Sequence, residues 1–113
     1  MTTDSSHGGP IYPDLAKDVA PDRPNQLWVA DLTYVAISGS FVYLAAILDA
    51  WSRKVVGYAI SRSMDAWIAV TALKAAIMNR APRKGCIHYS GCGSQYASEA
   101  YRAMLAAHGL AAR

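Results

Sequence analysis

The sequence predicts an α/β fold in which a three-stranded antiparallel meander is followed by a helix, a parallel strand and a second helix. Three observations predict it. Aromatic and β-branched residues crowd into three runs between Leu27 and Ile60, separated by short turn-forming stretches. After Ser63 the apolar period lengthens to three and four residues. Pro82 and Gly85 then set off a short apolar run from a second amphipathic segment that ends at Gly109.

Taken in order, residues 1–26 carry Pro10, Pro13, Pro21 and Pro24 with Gly8, Gly9, Asp14, Asp18 and Asp22, the composition of a flexible linker. The folded part is expected to begin at Leu27 and run to residue 113. Leu27 to Ile37 reads as the first strand, Ser38-Gly39-Ser40 as a turn, and Phe41 to Asp49 as the second strand of a hairpin. Asp49-Ala50-Trp51-Ser52-Arg53 makes the next connection and Lys54 to Ile60 the third strand. Large apolar groups on both strand faces predict a sheet covered by helices.

Ala66, Val70, Leu73 and Ile77 recur at helical steps, with Ser63 or Asp65 available as cap and Pro82 as stop. Cys86 to Tyr89 is a short strand, which after a helix joins the sheet most simply in parallel through a crossover. Ser90 to Ala97 is a polar loop. Ser98 caps a second helix whose Tyr101, Leu105 and His108 share a face, and Gly109 suits its C′ position.

A length of 113 residues is one domain's worth of chain, and hydrophobic residues at 53% against charged residues at 17% supply enough apolar surface for a packed core. The formal charge of +3 permits an anionic partner without requiring one. Met1 to Gly9 has neither Lys nor Arg and no apolar run, so no signal or transit peptide is expected and the default address is cytoplasmic. The longest uncharged stretch is interrupted by Thr33, Ser38, Gly39 and Ser40 and falls short of the ~20 apolar residues of a spanning helix. Cys86 and Cys92 are then expected to be reduced thiols.

Asp31 stands between Ala30 and Leu32 in a strand expected at the middle of the sheet. A carboxylate buried there needs a cation, a metal or several donors beside it. The other reading is a solvated carboxylate bonded to Thr33 or a loop amide. Position alone leaves both open.

Three strings carry a resemblance. Pro24-Asn25-Gln26-Leu27-Trp28-Val29-Ala30-Asp31-Leu32-Thr33-Tyr34-Val35 is the first, and Tyr43 through Tyr58, with Leu48-Asp49-Ala50-Trp51-Ser52-Arg53-Lys54 at its centre, the second. Ile87-His88-Tyr89-Ser90-Gly91-Cys92-Gly93-Ser94-Gln95-Tyr96-Ala97-Ser98 is the third. From about Pro24 to Gly109 the chain resembles the catalytic core of bacterial insertion-sequence transposases of the DDE type, related to retroviral integrases. The resemblance implies a ribonuclease-H-like fold and DNA transposition or integration as the family's business. Its chemistry uses two aspartates and a glutamate to hold two Mg²⁺ ions, one activating the attacking oxygen and one stabilising the leaving oxygen of an in-line phosphoryl transfer.

Asp31 matches the first aspartate and is the expected catalytic and metal residue. The second aspartate's position holds Gly91, and Cys92 follows where the family usually has Arg. The family's glutamate would lie beyond Arg113, and Glu99, the only glutamate here, fits a helix N-terminus instead. One carboxylate cannot clamp two ions about 3.5–4 Å apart. The resemblance therefore implies a truncated, degenerate core that binds no Mg²⁺ and is inactive by itself, or a non-catalytic DNA-binding or transposase-associating chain. DNA, weakly held, and a full-length transposase are the implied partners, with no membrane and no small-molecule substrate.

Arg53, Lys54, Arg83 and Lys84, with Arg80, could line a phosphate-facing surface, or could simply be solvated. Trp28, Trp51 and Trp67 are expected to pack rather than stack on bases. Asp49 reads as a turn cap outside the catalytic set. Ser94, Gln95 and Tyr96 would border the family's active centre or merely close a turn. Cys86, His88, Cys92 and His108 could in principle bind zinc, but C-x-H-x₃-C is not a common zinc spacing.

Overall fold

The structure is a computed structural model and describes residues 21–63, 66–90 and 96–112. The strands are β1 (Leu27–Ile37), β2 (Ser40–Asp49), β3 (Val55–Ser61), β4 (Ile87–Ser90) and β5 (Ala111–Ala112), and the helices are α1 (Ala66–Arg80) and α2 (Glu99–Ala107). They build a mixed sheet in the order β3-β2-β1-β4-β5. The meander is antiparallel, with Trp28 opposite Asp49 and Ile37 opposite Ser40. Gly39, at φ 69°, makes the hairpin turn that a side chain would strain. β4 pairs with β1 in parallel, from Leu27 opposite Ile87 to Ala30 opposite Ser90.

Chain continuity explains the parallel strands. α1 ends at Arg80, before Ala81 at φ 44° and Pro82, and returns the chain to the β1 edge. α2 is capped by Ser98, whose hydroxyl accepts the Tyr101 N–H at 3.2 Å. It ends at His108, with Gly109 at φ 71° beyond it. Asp65, one of the two cap residues expected for α1, lies outside the described residues.

Both helices lie on one face of the sheet. Beneath them Trp28, Ala30, Ala45, Ile47 and Val56 meet Ile68, Ala69, Ala72, Leu73 and Ala76 of α1 and Tyr101 and Leu105 of α2. Close approach is built into Gly57: a Cβ there would run into the backbone nitrogen of Ala76 and come within 2.5 Å of the Ala72 carbonyl oxygen. Small residues on α1 and a glycine on β3 thus set the helix directly on the strand.

Two expectations are corrected, and one element is added. Among the described residues the helices cover one face: on the other, Leu27 and Val29 are buried, but Val35, Tyr58 and Ile60 are exposed by 40%, 59% and 61%. His108 does not share the buried stripe of Tyr101 and Leu105. It caps the helix in solvent, and Leu110 is the buried residue there. A fifth strand, β5, follows α2 and pairs in parallel with Ile87 and His88. Two alanines carry no β-strand signal of their own, so only tertiary pairing defines it.

Candidate functional site

β4 stops pairing at Ala30 opposite Ser90. The next residue on β1 is Asp31, whose side chain therefore stands at the carboxyl end of a parallel neighbour, the place where open α/β sheets offer their ligand-binding crevice. Strand alternation puts Asp31 on the face away from the helices, in register with Ala46 and, through it, Tyr58.

Asp31 is exposed, and its Oδ1 accepts the Leu32 N–H at 3.0 Å. Of the two readings that position leaves open, the exposed carboxylate matches the solvent-facing one, with the adjacent Leu32 amide rather than Thr33 as its donor. Tyr96 stands at the approach to α2, packed edge-on against Tyr101 in the helix-side core. Its hydroxyl is buried without a hydrogen-bond partner among the described residues. Burial, and secondarily the negative charge of Asp31, push the phenol well above its ordinary range.

The described residues do not fit a two-metal clamp. Among the described residues no three His, Cys, Asp or Glu side chains come together to hold an ion. Asp31 brings one carboxylate, and a neutral phenol such as that of Tyr96 supplies no negative charge to hold a divalent ion. Gly91, Cys92, Ser94 and Gln95 lie outside the described residues, and at position 91 the sequence has no ligating side chain.

His88, expected to share a face with Cys86 as a possible zinc ligand, is committed elsewhere. Its Nε2 lies 2.6 Å from the hydroxyl of Tyr101 in the core, and burial lowers its pKa to about 4, against a smaller opposing backbone hydrogen bond. Burial, and then the charge of Asp49, raise the Cys86 thiol to about 12, an inert form. His108 is exposed at the end of α2, its Nδ1 3.0 Å from the Met104 carbonyl oxygen.

Asp49 is a turn cap, as its sequence setting suggests. It is fully buried. Its Oδ1 accepts the Asn25 N–H at 3.1 Å, and its Oδ2 accepts the Ser52 N–H at 3.3 Å and the Ser52 hydroxyl at 2.7 Å. Asn25, at φ 61°, in turn accepts from Trp28 Nε1 at 3.1 Å and Arg80 Nη1 at 3.2 Å. Asn25 was not a candidate from sequence, although an Asn before a strand, where the left-handed conformation is tolerated, is a recognisable signal.

Arg53 and Lys54 lie in the β2–β3 turn, and Arg83 and Lys84 in the α1–β4 connection. Both loops meet the start of β1, since the Ala50 N–H reaches the Leu27 carbonyl and the Ile87 N–H reaches the Gln26 carbonyl. Leu27 to Asp31 spans ~13 Å of strand. The four cations therefore cluster at the end of the sheet away from Asp31. Trp28 is buried as expected, whereas Trp51 and Trp67 are exposed by 50% and 68%, against the expectation that all three pack.

A mixed sheet of this order, with a carboxylate-bearing central strand and two helices on one face, defines a ribonuclease-H-like α/β protein. Solved structures agree: the simian T-cell lymphotropic virus intasome in complex with a PP2A regulatory subunit superposes with TM-score 0.70 at 19% identity, covering 80% of this chain and 31% of that one. The HTLV-2 integrase catalytic core domain in complex with magnesium also gives TM-score 0.70, at 16% identity, covering 80% of this chain and 60% of that one. The integrase core domain family matches residues 21–113, and the chain belongs to that family.

Its relatives include an insertion element IS600 31 kDa protein of Shigella sonnei, 42% identical over 96% of this chain and 40% of that protein. The transposase for insertion sequence element IS629 of Shigella sonnei is 45% identical over 80% of this chain and 30% of its own length. The transposase InsF for insertion sequence IS3A of Escherichia coli K12 is 37% identical over 93% of this chain and 37% of its own length. The chain spans about two-fifths or less of each of these relatives. Among the described residues no helix is long and apolar enough to cross a membrane.

Proposed function

We propose that this chain is the catalytic-core portion of an insertion-sequence transposase, shaped for phosphoryl transfer on DNA but unable to perform it alone. The observation that carries this reading is the solitary carboxylate at the end of β4: Asp31 stands where the fold offers a ligand crevice, and the residue after Ser90 is Gly91. Two-metal phosphoryl transfer needs shared carboxylates to bridge and flank both ions. A glycine removes the second, and with it the charge that would hold an ion against water.

The test is a strand-transfer and 3′-end cleavage assay with the purified chain, duplexes ending in an insertion-sequence terminus, and Mg²⁺ or Mn²⁺. No product is expected. Product that Asp31→Asn abolishes would overturn the reading. Gly91→Asp is expected to tighten Mn²⁺ binding, read by calorimetry, and Asp31→Asn in that background to reverse the gain.

The uncovered sheet face favours a second reading, association with an intact transposase. Val35, Tyr58 and Ile60 are large apolar side chains exposed on that face, of the kind that partners cover. Co-expression with a full-length relative should then co-purify the two proteins and lower transposition frequency. Absence of both effects rules out interference.

A further inference from the structure

We propose that the end of the sheet remote from Asp31 is a docking surface for the phosphate backbone of duplex DNA, formed by Arg53, Lys54, Arg83 and Lys84 beside Trp51. The proposal is independent of phosphoryl transfer and would stand if Asp31 were inert.

The placement is fixed by the backbone. The Ala50 N–H donates to the Leu27 carbonyl at 2.9 Å on one side of β1, and the Ile87 N–H donates to the Gln26 carbonyl at 3.0 Å on the other. These bonds tie the two cation-bearing loops to consecutive residues of one strand, which sets them roughly two strand spacings, ~10 Å, apart. The β2–β3 turn is rigid as well as anchored: Asp49 holds Ser52 by two bonds, and the Arg53 N–H reaches the Asp49 carbonyl at 2.7 Å. Little backbone ordering entropy remains to be lost in that turn when an anion binds.

Charge is concentrated there. All four side chains are exposed, and none forms an ion pair with a described carboxylate. The nearby acids are occupied, Asp22 by Arg23 at 3.1 Å and Asp49 by Asn25 and Ser52. Four exposed cations on two neighbouring loops make this end of the sheet locally positive.

The chemistry favours nucleic acid over an acidic protein. Guanidinium forks bind phosphate oxygens in bidentate fashion, and the ammonium groups add point charges that displace counterions. Trp51, half exposed in the same turn, offers an apolar face to the sugars beside the phosphates.

The experiment compares two double variants that remove equal charge. Anisotropy of a labelled 20-base-pair duplex is measured over a KCl series with the full chain. Arg83→Ala/Lys84→Ala should weaken binding by roughly tenfold and reduce the slope of log K against log salt by about 2. Lys74→Ala/Arg102→Ala, which removes two exposed cations from α1 and α2, should stay within about twofold. Trp51→Ala should weaken binding with little change in slope. Equal losses in the two double variants would overturn the proposal, since net charge alone would then explain binding. So would polyglutamate or phosphatidylserine vesicles binding as tightly as the duplex, or no duplex binding at low salt.

Discussion

The hydroxyl of Tyr101 lies 2.6 Å from Nε2 of His88, a buried bond that ties α2 to the strand leading into the candidate site. The two rings meet edge to face with centroids 5.3 Å apart, and Tyr96 packs edge-on against Tyr101 at the same spacing. Tyr101→Phe leaves the imidazole nitrogen without its partner in a dry site. Urea melts should show a loss of about 1–3 kcal/mol.

The same histidine makes stability depend on pH. Its folded pKa of about 4 lies below the ordinary 6.5, so the unfolded chain takes up a proton first. The contribution of neutral His88 is complete above pH 6.5 and is lost as pH falls from there toward 4, on the order of 3 kcal/mol in all. Midpoints measured at pH 7.5, 6, 5 and 4.5 should fall steadily in the native chain. His88→Gln should be less stable at pH 7.5 but show a flatter decline.

Gly57→Ala should be among the most damaging single-methyl changes. The added Cβ meets backbone of α1, which cannot swing aside like a side chain, so strand and helix must separate. A cost of about 1–3 kcal/mol is expected, with an unchanged denaturant slope. An equal change at exposed Gly39 acts through its φ of 69° alone and should cost about 1 kcal/mol.

Asp49→Asn keeps the shape of the turn cap but replaces an acceptor with an amide that cannot accept from both Asn25 and Ser52. A loss of about 2 kcal/mol is expected by chemical denaturation, and about 1 kcal/mol for Ser52→Ala. Asp31→Asn offers a contrast. The carboxylate is exposed and bonds only the adjacent Leu32 N–H, so stability should change by less than about 0.5 kcal/mol.

Tyr96→Phe removes a hydroxyl that is buried without a described partner, and should leave the melt unchanged or raise stability by about 1 kcal/mol. A clear loss of stability would mean that the hydroxyl is satisfied in solution.

Much of the architecture was legible because its signals are local. The runs from Leu27 to Ile60 alternate and break at turn residues, and Ser98, Pro82 and Gly109 mark helix ends by their own backbone preferences. Asp49's role followed from its place before a tight turn. Features that depend on distant partners were not legible. Ala111 and Ala112 become a strand only because β4 offers an edge. Nothing in the spacing of His88 and Tyr101 says that they meet. The exposure of Asp31 reflects which face the helices leave open, and the remoteness of Arg53, Lys54, Arg83 and Lys84 from Asp31 follows from strand direction. The sequence places them near motifs of the site, whereas the register turns them toward the other end.

The seam between β1 and β4 also sets a timetable for synthesis. Leu27 to Ala30 cannot find Ile87 to Ser90 until α1 has left the ribosome, whereas β1, β2 and β3 are neighbours in sequence and can pair as they emerge. A nascent chain therefore carries an open, fully apolar strand edge for several seconds at ordinary elongation rates of about 5–20 residues per second. Pulsed hydrogen exchange on stalled chains should find the meander amides protected first, with that interval the window in which a chaperone has most to bind.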